Sequence, residues 1–125
     1  MVKWQRYSKR KSTGGKRHLA RGKRKRELGR YPVETQLGDH SIKEKRVRGG
    51  NRKLQVSRSE MINVSDGDRT QSVKILEVIE NPSNKDMDRR KIITKGTILD
   101  TKLGKVRVTS RPGQCAVVNG VLIEE

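Results

Sequence analysis

The stretch RVRGGNRK (46–53) sets Gly49, Gly50 and Asn51 between Arg46 and Arg48 on one side and Arg52 and Lys53 on the other. Gly-Gly-Asn is turn chemistry. Glycines without a Cβ let the backbone come close to a phosphate, and successive amides in such a turn form an anion-binding concavity. Arginine adds a planar fork that grips phosphate oxygens in pairs. A second element repeats the composition: Gly14 and Gly15 lie between Lys9-Arg10-Lys11 and Lys16-Arg17. Lys23-Arg24-Lys25-Arg26 is a further run of cations. The chemistry these residues offer is the holding of a polyanion. No GxxxxGK[ST] pattern accompanies them, so nucleotide hydrolysis is not expected.

Other reactive types are sparse. His18, His40 and Cys115 are isolated and lack metal-ligand spacing. Asp66-x-Asp68 followed by Glu77 has the outline of a calcium loop, but Gln71 occupies the turn glycine's place and Lys74 stands where an oxygen ligand belongs. Asp86 or Asp88 followed by Asp100-Thr101-Lys102 fits the carboxylate and D-x-K pattern of a magnesium-dependent nuclease, the enzyme alternative to a binding protein. A DNA-binding chromatin protein is a third reading. Trp4 and Tyr7 could stack on unpaired bases or pack the chain on itself. The expectation is a non-enzyme with no metal, no cofactor and no small-molecule substrate.

The charge behind these motifs is polarised. The chain has 125 residues and a formal net charge of +17, with a pI near 10.7. Residues 1–53 hold 19 Lys/Arg against four acids, and residues 54–125 hold 12 against ten. A charge so concentrated repels itself unless an anionic partner neutralises it. A membrane is not the expected partner, since no long apolar run or basic amphipathic helix exists. One cysteine and the lack of an apolar leader in residues 1–30 fit an intracellular protein.

The elements that position the cations divide at about residue 42. Residues 1–41 read as a basic arm with too few large apolar side chains to order itself, and a helix over 16–28 would be interrupted by Gly22. Residues 42–125 read as a mainly β body, a small antiparallel barrel of short strands. Leu54/Val56 and Ile62/Val64 alternate. Asp66-Gly67 turns into SVKILEVIE (72–80), and Asn81-Pro82-Ser83-Asn84 breaks that strand. KIITKGTIL (91–99) reads as a strand bent at Gly96, KVRVTS (105–110) as the next, and CAVVNGVLIEE (115–125) as the last, with a turn or bulge at Asn119-Gly120.

Six segments, KRKSTGGKR (9–17), KRKRELGRYPVET (23–35), RVRGGNRK (46–53), VIENPSN (78–84), ITKGTIL (93–99) and TSRPGQ (109–114), together resemble the archaeal and eukaryotic small-subunit ribosomal protein S-eight-e family. Val108-Thr109 runs straight into SRPGQ, without the long insertion of eukaryotic members, so the chain is similar to the shorter archaeal type. Leu54-Gln55-Val56 departs from the family, which usually shows another basic residue near an Ala-Leu pair. The resemblance implies a barrel-like body and a basic arm threaded into ribosomal RNA. It also implies a cytoplasmic place in the ribosome, beside small-subunit RNA and neighbouring proteins. Arg111 joins the expected RNA-binding residues through its place in the SRPGQ segment.

Overall fold

The structure is a computed structural model and describes residues 3–67 and 69–123. It divides into two compact units, Met1–Pro32 and Val33–Glu125.

In the first unit, β1 (Lys3–Trp4) pairs antiparallel with β2 (Leu28–Gly29), with Lys3 opposite Gly29. No α-helix forms over 16–28; Lys25–Glu27 is a single 3-10 turn. No apolar stripe is present that could seat a longer helix.

The second unit opens with β3 (Gln36–Leu37), ahead of the β-branched runs; it carries no apolar alternation and is held by parallel pairing with Arg58 and Ser59. β4 (Ser41–Arg46) and β5 (Arg52–Ser59) form a hairpin, and β5 lies between β3 and β4 in a three-stranded sheet. β6 (Met61–Asp66), β7 (Arg69–Glu80), β8 (Ile98–Thr101), β9 (Gly104–Val108) and β10 (Asn119–Leu122) close into a five-stranded barrel in the order β10-β6-β7-β8-β9. Closure leaves those strands without free edges. Every neighbouring pair is antiparallel except β6 and β10, which run parallel. Register shifts between Ile75 and Glu77 and between Val78 and Glu80 break the ladder on β7. Bulges of this kind bend and twist a strand, which a 12-residue strand wrapping a small barrel requires.

The core is aliphatic. Ile62 and Val64, Val106 and Val108, and Leu99 point inward at alternate positions of their strands. Val56 of β5 joins them and ties the hairpin's sheet to the barrel.

Three elements differ from the sequence expectation. Residues 91–97 are not strand: Thr94 N donates to the Thr97 hydroxyl (2.9 Å), Gly96 takes φ +91°, and β8 starts only at Ile98. Apolar residues in KIITKGTIL are buried there, Ile92 and Ile93 in a loop as deeply as Leu99 in the strand, so burial alone misstates the element. Asn81 fixes the loop by donating to Ile92 O (2.7 Å), and Asn84 caps the short helix α1 (Lys85–Arg89) by accepting from Asp86 N. The last strand covers only Asn119–Leu122, and Asn119-Gly120 lies within it rather than turning.

Gly120 is there for space. A Cβ would meet Val106 Cγ1 at 2.4 Å, Arg107 O at 2.9 Å and Ile62 Cδ1 at 3.0 Å. Gly120→Ala is therefore expected to destabilise the barrel by about 1–3 kcal/mol, the usual cost of overpacking. A lower denaturant midpoint with an unchanged slope is the result that checks it.

Candidate nucleic-acid interface

The charged Gly-Gly segment is the tip of the β4–β5 hairpin. Arg48–Gly50 make a tight turn that is not helical at Gly49 (φ 80°, ψ 10°), and Val47 N donates to Asn51 O (2.7 Å) across its base. Gly49 and Gly50 both have positive φ, +80° and +78°, a conformation that excludes most side chains. The turn type demands these glycines, and the same reversal leaves the backbone bare at the tip.

Below the tip the register sets cation opposite cation. Arg46 faces Arg52, and Lys45 faces Lys53. The Val47–Asn51 bond makes Arg46/Arg52 a non-hydrogen-bonded pair, the kind whose side chains lie closest. Like charges in that position destabilise a hairpin. Glu44, opposite Leu54, offsets part of this by accepting from Arg52 Nη1 at 2.9 Å. Glu44, Arg46, Gly50 and Arg52 line a concavity of about 330 Å³. Lys43 and Lys45 add to the same hairpin; they fall outside the motif because they alternate with Ile42 and Glu44 along a strand rather than clustering in sequence.

Arg111 is brought to the same sheet. Pro112 O accepts from Val56 N (2.9 Å), and Gln55 Nε2 donates to Gly113 O (2.6 Å). The SRPGQ turn thus runs along the side of β5 not taken by β4, with Pro112 buried and Arg111 exposed.

In the first unit, Gly14 and Gly15 also form a hairpin tip. Arg10 and Lys16 bridge antiparallel, Lys11 N donates to Gly15 O (2.9 Å), Arg17 N to Lys9 O (2.9 Å), and Gly14 has φ +86°. Lys9, Arg10, Lys11, Lys16, Arg17, Lys23, Arg24, Lys25 and Arg26 are all exposed. Unit 1's one acid is Glu27. It pairs with Arg21 and accepts from Arg24 N (3.2 Å), and the Arg21 guanidinium holds its carboxyl down at about 2. That carboxylate serves the local fold and leaves the cation runs uncompensated. Lys23 Nζ lies 5.2 Å from the Trp4 ring and Arg17 5.8 Å from the Tyr7 ring, so both aromatics hold cations within the unit.

Two acids of the nuclease reading have structural duties. Asp88 accepts from Asn81 N (2.8 Å), and Asp86 pairs with Arg89 (2.8 Å) and Arg90. Asp100 sits on β8 opposite Glu77 and Lys105. Among the described residues no three His, Cys, Asp or Glu side chains gather as metal ligands. Asp68 of the calcium-like pattern lies outside the described residues.

Against known proteins, the ribosomal protein S8e family model matches residues 4–123. The chain belongs to the ribosomal protein S8e family. The small ribosomal subunit protein eS8 of Methanocorpusculum labreanum is 49% identical over 123 residues, spanning 97% of this chain and 98% of that protein. The eS8 of Nanoarchaeum equitans is 50% identical over 114 residues, 90% of each. The S8e chain is thus a ribosomal protein with a structural rather than an enzymatic role. In this S8e member the barrel carries the core, while the densest runs of exposed cations lie on the β4–β5 hairpin and in the first unit.

Proposed function

We propose that the protein is a structural constituent of the small ribosomal subunit that binds and stabilises folded ribosomal RNA, with residues 1–41 as a basic RNA-binding arm and 42–125 as the body. One observation carries the reading: the hairpin places Arg46 against Arg52 and Lys45 against Lys53. A fold that tolerates two facing cation pairs beside a bare glycine turn is built for an external polyanion. The mechanism is phosphate neutralisation and fitting to RNA shape, with little base-by-base reading. Arg46, Arg48, Arg52 and Lys53 contact phosphates, and Gly49 and Gly50 permit close approach. Asn51 closes the turn. The Lys9–Lys11, Lys16-Arg17 and Lys23–Arg26 groups fill RNA crevices, with Gly14 and Gly15 again bare at a tip, and Arg111 supplies a contact beside β5. The setting is the cytoplasmic ribosome, among neighbouring small-subunit proteins.

Competition tests the class of partner. Unlabelled folded small-subunit ribosomal RNA should displace a labelled fragment of the same RNA at concentrations where duplex DNA of equal phosphate content does not. Equal displacement by the duplex would favour the chromatin reading.

A further inference from the structure

We infer that the concavity beneath the hairpin tip is a single-phosphate site and that Glu44 is its resident competitor, a carboxylate that occupies the arginine until an RNA phosphate displaces it. The inference rests on the RNA-binding reading of the hairpin and adds the identity of the displaced group.

Among its described lining residues the concavity has one carboxylate, Glu44, and two guanidinium groups. Arg46, Arg52 and the backbone of Gly50 line it, and the Glu44 carboxylate enters from the same face of the sheet, two residues along β4 from Arg46. Glu44 is the one acid among residues 41–58, a stretch with seven Lys/Arg. Its Oε1 accepts from Arg52 Nη1 at 2.9 Å, the geometry a phosphate oxygen would take. Both side chains are largely exposed, 71% for Arg52 and 49% for Glu44. An exposed pair of this kind is weak and opens readily.

The contrast with Glu27 sharpens the assignment. Glu27 is also a lone acid among cations, but it is tied to Arg24 N as well as to Arg21, and Gln5 N bonds its backbone carbonyl (2.7 Å). Glu27 is part of the local scaffold. Among the described residues the Glu44 side chain pairs with Arg52 alone, so releasing it breaks no further side-chain bond there.

A phosphate entering the site exchanges one anion for another at Arg52. The exchange costs every RNA the same step, because each protein holds one Glu44 at the site. Glu44 therefore raises the threshold for any anion that enters the concavity.

The test uses the full chain with Glu44→Gln, which keeps length and hydrogen-bonding capacity and removes the charge. Affinity is measured for folded small-subunit ribosomal RNA and for polyadenylate, alongside Arg46→Gln/Arg52→Gln as a reference. A unit charge a few ångströms from a phosphate in water alters affinity about five-fold, so Glu44→Gln should tighten polyadenylate binding by about that factor. The folded RNA should tighten by about the same factor, because the displaced group is the same. An unchanged or weaker affinity in Glu44→Gln, with clear weakening in the double arginine variant, overturns the competitor role and makes Glu44 a positioning residue for Arg52. If the double arginine variant binds normally, the hairpin does not contact RNA and the reading beneath the inference fails with it. Matching thermal melts of all three proteins confirm that the comparison is between folded states.

Discussion

Replacing Arg46, Arg48, Arg52 and Lys53 together by glutamine is expected to weaken binding to small-subunit ribosomal RNA on the order of 10²-fold or more at moderate salt, and to do so about equally for unrelated RNA sequences. Phosphate contacts fix position but carry little sequence information. Each one lost should lower the salt slope by about one. The body should remain folded. All four side chains are exposed, so each substitution shifts stability by less than about 0.5 kcal/mol, and the loss of facing like charges at Arg46/Arg52 acts in the stabilising direction. Parallel denaturation and filter-binding curves separate these effects. A large loss of stability would mean that the cations hold the hairpin together, and sequence-selective weakening would mean that they read bases.

The first unit should contribute the larger electrostatic share. It holds thirteen Lys/Arg and one acid, and Glu27 is already committed to Arg21. Changing Lys9, Arg10, Lys11, Lys23, Arg24, Lys25 and Arg26 to glutamine in the full chain is expected to flatten the salt dependence more than the hairpin variant does. None of these side chains is buried; Lys23 lies over the Trp4 ring and Arg10 donates to Gly14 O (3.0 Å), so a matching thermal melt separates charge from local packing. A slope equal to that of the unaltered protein would remove the arm from the RNA interface.

Much of this was legible in the sequence because the signals were local. Two glycine pairs between cations mark two hairpin tips, and both form. Ile62/Val64 and Val106/Val108 alternate as half-buried strands do, and they line the barrel. What escaped depends on tertiary partners. Ile92 and Ile93 read as strand but are buried in a loop that Asn81, Thr94 and Thr97 hold by side-chain bonds. Asn119-Gly120 has the composition of a turn, yet Gly120 is in a strand because Val106 and Ile62 leave no room for a Cβ. The parallel pairing of β10 with β6 joins segments more than fifty residues apart, and no local pattern announces it. On the hairpin, the cation clusters were visible, but the facing of Arg46 with Arg52 and the place of Glu44 on the same face, opposite Leu54, follow from strand register. The docking of the Arg111 turn along β5 rests on two hydrogen bonds between distant segments.

Binding by neutralisation of RNA phosphates is read from the affinity of the intact protein for folded small-subunit ribosomal RNA as a function of salt. With about 6–10 phosphates neutralised, affinity should fall about 10³–10⁵-fold between 50 and 200 mM monovalent salt. An affinity that stays within a few-fold over that range would contradict the account, because exposed cations on a hairpin, a turn and an arm have no means of binding RNA that salt leaves untouched.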